Sequence, residues 1–154
     1  MKKLIVGLLI LTGLYACGNQ ESVKSDETPK DATSTSASGY DPNRGEGKFK
    51  GVVIDPKLNE TLAENGNKVY AVKCSSCHKT TEEKLVGPGW KGVTSRRSAD
   101  WILNFITNTD EMITKDPAAQ AQLEICLVRM PNQNLSDDDA KGLYEFMRKV
   151  DGIK

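Results

Sequence analysis

Residues 51–154 predict an all-α domain of about four to five short helices. Apolar side chains recur there at the three- and four-residue spacing of helices, and each predicted helix begins at a residue that can cap it. No two segments alternate as paired strands would, although residues 51–54 could form a short extended lead-in. Helices are therefore expected to supply the core of this domain.

The first predicted helix has Asp55 as its cap and Pro56 at its first position, and it continues to about Lys73. Its apolar residues fall roughly on one side, and they are Leu58, Leu62, Val69 and Val72. This side is expected to face the core.

Three further helices are predicted, with caps at Ser98, Asp116 and Ser136. They cover residues 99–108, 117–127 and 137–150. Aspartates occupy residues 137–139, where the helix dipole favours negative charge, so capping explains them without a metal ion. Short helices with long loops make a thin core, which a large apolar cofactor would complete.

Residues 1–16 have the layout of a secretory signal peptide: two lysines, an apolar run and a short cleavage site before Cys17. The run is too short for a comfortable membrane span. Its ending resembles a bacterial lipobox, which predicts that Cys17 is lipid-modified and anchors an exported protein to the membrane, facing the periplasm or the cell exterior. An ordinary signal peptide with an incidental cysteine is the alternative.

Residues 17–50 are rich in small, polar and charged side chains, which predicts a flexible tether before the domain at residues 51–154. Removal of residues 1–16 would leave 19 basic and 21 acidic side chains, a formal net charge of −2. This balance gives no basic face for a nucleic-acid partner.

The segment Cys74-Ser75-Ser76-Cys77-His78 has the pattern of covalent c-type haem attachment. Two intervening residues let both sulfurs reach one edge of the porphyrin, while the next histidine ligates the iron. The sequence therefore predicts one covalent haem, with Cys74 and Cys77 as its thioether residues and His78 as an axial ligand.

Two other chemistries use the same residues. A structural zinc ion needs four ligands, and Cys126 would have to join Cys74 and Cys77 while the only histidine abuts Cys77. A thioredoxin-like thiol pair would need an α/β context that the helical pattern does not supply. Both are weaker interpretations than haem attachment.

A second imidazole is absent from the sequence, so methionine is the expected sixth iron ligand. Met130 is favoured, because it follows a predicted helix and Pro131 prevents that helix from continuing. Met112 is the weaker candidate, and Met147 is expected to be an ordinary core residue. An open or water-bound site is the remaining alternative, and it would predict a peroxidase-like enzyme.

From residue 59 to residue 150 the sequence resembles class I, mitochondrial-type, single-haem cytochrome c domains. The resemblance rests on the attachment motif, on Gly66 and Tyr70 before it, and on later motifs. The later motifs are residues 87–90 (Gly-Pro-Gly-Trp), Met130-Pro131, and Leu143 with Phe146 in the last helix. It implies a cytochrome c fold in which the first helix crosses the last, with Gly66 and Tyr70 against Leu143 and Phe146.

The resemblance also implies roles around the haem. Pro88 would offer its carbonyl to the His78 imidazole and orient it. Trp90, Arg96 and Arg97 fall where family members bind the haem propionates, although the two arginines could equally be a solvated pair. Cys126 departs from the family pattern, and a buried free thiol is its expected state.

The expected function is that of an electron carrier and not an enzyme, since filled axial positions leave little room for substrate. Its expected partners are a quinol-oxidising complex upstream and a terminal reductase or oxidase downstream, met through small transient interfaces. The resemblance extends to members associated with nitrous oxide reduction or with haem-copper oxidases. A peroxidase-like haem enzyme is the alternative, and a zinc-binding lipoprotein is a weaker one.

Overall fold

The computed structural model describes residues 39–154, and this part of the chain contains six helices. They are α1 (Glu60–Lys73), α2 (Val93–Arg96), α3 (Ala99–Thr107), α4 (Thr109–Lys115), α5 (Pro117–Cys126) and α6 (Asp137–Val150). No strand occurs in this part, where the only β pairing is an isolated bridge between His78 and Lys84. The all-α prediction is confirmed, with six helices in place of four or five.

The predicted signal peptide (1–16), the lipidation site Cys17 and the tether as far as residue 38 lie outside the described residues. Among residues 39–154, every helix is too short or too polar to cross a membrane.

Three helices begin where their caps predict. The side chains of Ser98, Asp116 and Ser136 accept hydrogen bonds from backbone amides three residues further on. Each cap satisfies a backbone donor that the first turn of the helix leaves without a partner.

The first helix begins later than predicted, at Glu60, with Asn59 as its cap. Two contacts keep the chain before it out of a helix. Asp55 accepts a hydrogen bond from the backbone of Lys57, and Arg148 of α6 donates to the carbonyls of Asp55 and Pro56. Those carbonyls are then engaged by Arg148, and no helical turn forms there.

Val72 was predicted on the inner side of the first helix, and this is wrong. Its side chain is 84% exposed, while the same helix buries Ala63 and Gly66. The apolar residues of α1 therefore span a wider arc than one face of the helix, and Val72 lies at its exposed edge.

Two helices were not predicted. The one-turn helix α2 lies between the attachment motif and Ser98, where no helix was predicted. Helix α4 follows α3 almost without a break, because Asn108 leaves helical geometry with φ −137° and ψ 46° and turns the chain. Asn108 makes no side-chain cap hydrogen bond with α4.

Helices α1 and α6 approach each other at two glycines. A Cβ atom on Gly66 would lie 1.9 Å from the carbonyl oxygen of Gly142, so no side chain fits at residue 66. Beside this contact the rings of Tyr70 and Phe146 pack with their centroids 5.2 Å apart. The predicted crossing of the first and last helices is confirmed.

The chain before α1 is also part of the domain. Residues 40–52, which we call the strap, lie along α3 and α4, and Phe49 within the strap is buried. The described end of the predicted tether, residues 40–50, therefore packs on these helices. Tyr40 and Phe49 supply its aromatic contacts, and Gly45 and Gly47 allow it to approach the helices closely.

Replacing Gly66 by alanine should destabilise the protein by about 2 to 4 kcal/mol, because two helix backbones must separate to admit one methyl group. Urea unfolding of the haem-loaded protein measures the loss. Asn67→Ala, on the exposed side of the same helix, is the matched control. Equal stability of the two variants would contradict the close crossing.

Candidate functional site

A cavity of about 440 Å³ opens between the attachment motif and helices α3, α4, α5 and α6. Its volume lies within the range of about 300 to 1,000 Å³ typical of ligand sites. The apolar side chains of its wall are mainly Trp90, Trp101, Ile102, Phe105, Ile106, Ile113, Ala118, Leu123 and Met147. Such a wall suits a large apolar cofactor and excludes water from it.

The attachment motif forms a tight turn at the end of α1. The backbone amides of Cys77 and His78 both donate to the carbonyl of Cys74, at 3.0 and 2.9 Å. This turn brings Cys77 and His78 to the cavity wall. Cys74 is buried in the apolar core beside it, and burial raises the pKa of its thiol to about 11. The thiol is therefore protonated at neutral pH.

One hydrogen bond fixes the His78 imidazole. Its Nδ1 lies 2.8 Å from the carbonyl oxygen of Pro88. A carbonyl can only accept, so Nδ1 donates and Nε2 keeps its lone pair for a metal. Burial lowers the pKa of His78, against an opposing effect of the Pro88 bond, and this favours the neutral ring that binds iron.

Gly87 leaves room for that ring. A Cβ at residue 87 would lie 2.3 Å from Cε1 of His78, so a side chain there would displace the imidazole. On another side, Trp90 packs with its ring centroid 5.6 Å from that of His78. Tyr70 completes the support by donating a 2.7 Å hydrogen bond to the His78 carbonyl.

The structure separates the candidate methionines. Met130 lines the same cavity as His78. Met112 is fully buried outside the cavity wall, and its sulfur accepts a 2.9 Å hydrogen bond from the Glu46 amide. Met147 is buried and also lines the cavity, from the last turn of α6.

The loop that carries Met130 is held on both sides. Before it, the Arg129 guanidinium donates to the Asp110 carboxylate at 3.1 Å, at the start of α4. After it, Lys73 at the end of α1 donates to the carbonyl of Gln133 at 2.9 Å. These contacts keep the loop beside the cavity.

The three residues predicted to bind propionates all line the cavity. Trp90 is buried, whereas Arg96 is exposed and donates to the Lys91 carbonyl at 2.7 Å. The guanidinium of Arg97 lies 4.6 Å from the ring centroid of Trp101, a cation–π contact. Both arginines can reach the cavity rim, where negative groups would be favoured.

Cys126 lies at the end of α5 and lines the cavity, half-buried and with a free thiol. Its sulfur is 3.7 Å from the side-chain nitrogen of Gln122. Within residues 39–154 no three His, Cys, Asp or Glu side chains come together as a metal site. The zinc alternative therefore has no supporting observation in that part of the chain.

Sequence reasoning did not find several parts of this site. Ile102, Ile113 and Ala118 come from helices whose contribution to the wall depends on tertiary packing. Trp101 is buried and also faces the cavity, and its indole nitrogen donates to the buried Asp116 carboxylate at 3.1 Å. In the sequence, Asp116 before Pro117 indicates a helix cap, and nothing there indicates its contact with Trp101.

Three features together define a c-type haem domain: a motif with two thiols that can bind haem, an oriented imidazole, and an apolar cavity. The family model described as "Cytochrome c" matches residues 63–151, and the chain belongs to that family. The cofactor is one covalent haem c, and the cytochrome c fold is confirmed.

Solved structures agree with this assignment. Cytochrome c from Rhodothermus marinus is 28% identical with a TM-score of 0.65, over 68% of this chain and 90% of that chain. An engineered form of it is 27% identical with a TM-score of 0.65 and the same coverage. That engineered protein bound to a carbene intermediate has a TM-score of 0.62. Curated protein sequences give no significant match.

Replacing Gly87 by alanine should displace the His78 imidazole from the Pro88 carbonyl. Loss of such a contact weakens metal ligation by about 10- to 100-fold, so a high-spin ferric fraction should appear. Electron paramagnetic resonance and absorption spectra of the oxidised protein measure it. Ser76→Ala, an exposed change within the motif, is the control, and a low-spin Gly87→Ala protein would refute the steric argument.

Proposed function

We propose that this protein is an exported one-electron carrier whose haem iron is ligated by His78 and Met130. Family membership supports haem-based electron transfer in general. The observation that carries the finer proposal is that His78 and Met130 line one cavity, with the imidazole held by Pro88. Met112 is a poor rival, because its sulfur is buried and hydrogen-bonded elsewhere.

When bound, the haem supplies an iron that changes oxidation state by one electron. The chain supplies the rest. The Pro88 carbonyl holds the His78 proton on Nδ1, and the apolar wall excludes water. The fixed Met130 loop limits rearrangement between redox states, which favours outer-sphere transfer over binding of a substrate. Methionine ligation also raises the reduction potential, which suits donation late in a respiratory chain.

Redox partners would dock where apolar side chains surround the cavity mouth. Val86 and Val128 both line the cavity and are 37% and 54% exposed. Ile125 lies nearby, with the Lys84 ammonium donating to its carbonyl. A small apolar contact of this kind favours weak, rapidly exchanging complexes.

The proposed donor is a quinol-oxidising complex, and the proposed acceptor is a terminal reductase or oxidase. Nitrous oxide reductase and a haem-copper oxidase are the two acceptors that the sequence resemblance favours. The proposed location is the periplasmic side of a membrane, or the cell exterior, through a lipid on Cys17. Support for this location comes from the signal-like residues 1–16.

Met130→Ala should abolish the methionine-to-iron charge-transfer band at the red edge of the oxidised spectrum while the haem stays covalent. Absorption spectra and a pyridine haemochrome assay measure the two properties. Met112→Leu and Met147→Leu should keep the band. A wild-type protein with covalent haem and no such band would indicate the open-site, peroxidase-like alternative instead.

Cys17→Ser should move the protein from the membrane fraction to the soluble fraction, because the thiol that would carry the lipid is gone. Immunoblots of fractions from cells with a working haem-attachment system measure the distribution. Cys126→Ser is the matched control and should stay with the membrane. Retention of the Cys17→Ser variant in the membrane would mean that the anchor is not this cysteine.

A further inference from the structure

The strap, residues 40–52, is fastened to α3 by a buried amide. Asn104 is fully buried, and its side-chain oxygen accepts from the Phe49 amide at 2.8 Å. Its side-chain nitrogen donates to the carbonyls of Arg44 and Phe49, both at 2.9 Å. Gly47 permits this approach, since a Cβ there would lie 2.4 Å from the Asn104 oxygen. One side chain thus makes three hydrogen bonds to the strap.

A buried carboxylate fastens the strap to α5. Asp116 is 1% exposed and accepts from the Tyr40 hydroxyl, from the Trp101 indole at 3.1 Å and from the Ala119 amide at 2.7 Å. Burial, and then the bond to Asp116, raise the pKa of Tyr40, so its hydroxyl stays protonated as a donor. Asp116 therefore joins the strap, α3 and α5 at one point.

The third attachment is to α4. A Cβ on Gly45 would lie 2.5 Å from Cε of Met112, and that side chain is fully buried with little room to yield. The next residue, Glu46, donates its amide to the Met112 sulfur at 2.9 Å and accepts from Asn108 at 3.1 Å. The strap thus lies directly on the helix that also carries Ile113 into the cavity wall.

The three helices that the strap contacts are the ones that build much of the cavity wall. Helix α3 contributes Trp101 and Ile102, α4 contributes Ile113, and α5 contributes Ala118. Helix α5 leads into the loop of Met130. The strap itself precedes residue 63, where the match to the family model begins.

We propose that the strap clamps α3, α4 and α5 together and thereby limits how often the Met130 side of the cavity opens to an external ligand. Asn104 and Asp116 are positioning residues in this device. The inference rests on the proposed ligation by Met130. An external ligand binds only the open fraction of molecules, so loosening the strap raises its binding rate in proportion.

Gly45→Ala in the full-length, haem-loaded protein tests the device. The change places a methyl group against Met112 at a residue with φ +70°. Gly51→Ala is the matched control, since Gly51 has φ +66° but no atom within 4 Å of its Cβ position. Both variants carry the same backbone strain, and they differ only in the contact. Tyr40→Phe, which removes the donor to Asp116, is the second test variant.

Stopped-flow mixing of the reduced protein with carbon monoxide gives the binding rate, and urea unfolding gives the stability. We expect Gly45→Ala to bind about tenfold faster than Gly51→Ala, with Tyr40→Phe also faster than wild type. Wild-type rates in both test variants, with or without lost stability, would overturn the proposal and leave the strap a purely structural segment.

The two proposals fail in different ways. Absence of the methionine-to-iron band in the wild-type protein would refute the ligation before any strap variant is made. A wild-type protein that shows the band, together with strap variants that bind carbon monoxide no faster, would refute the strap device and leave the ligation standing. If Gly45→Ala does not fold, the rate of Tyr40→Phe decides alone.

Discussion

The hydrogen bond from the His78 imidazole to the Pro88 carbonyl is the contact on which the site depends. It joins the end of α1 to the following loop, and it decides which ring nitrogen faces the cavity. Gly87 and Trp90 hold the ring in this position. Gly87 has no side chain to displace the imidazole, and Trp90 packs against it. The attachment motif alone specifies the ligand, but this loop specifies its direction.

The crossing of α1 and α6 supports that contact from behind. The ring of Tyr70 packs against Phe146 of α6 and against Trp90, and its hydroxyl donates to the His78 carbonyl. One side chain therefore belongs to both the helix crossing and the site. Near the other end of the crossing, Arg148 and Glu145 form a buried ion pair, with bonds to the backbone before α1. Removing one partner of such a pair usually destabilises a protein by about 3 to 5 kcal/mol.

Features set by local signals could be predicted from the sequence, whereas features set by long-range contacts could not. Ser98, Asp116 and Ser136 act within one turn, so those helix starts were readable from the chain. The start of α1 was not, because the carbonyls of residues 55 and 56 are bound by Arg148, more than ninety residues away. The strap was missed for the same reason. Its polar composition indicates a tether, and only the buried Asn104 and Asp116 show why it packs.

The lengths of the helices around the cavity explain why these long-range contacts are needed. Helices α3, α4 and α5 have nine, seven and ten residues, and isolated helices shorter than about 12 to 15 residues are marginal in water. Of these three helices, only α3 packs on α6, while α4 packs on α3 and α5, so the group needs further partners. The haem supplies an apolar one on the cavity side, and the strap supplies hydrogen bonds on the other. Because both hold the same short helices, the packing of the strap and the ligation of the iron are expected to respond to each other.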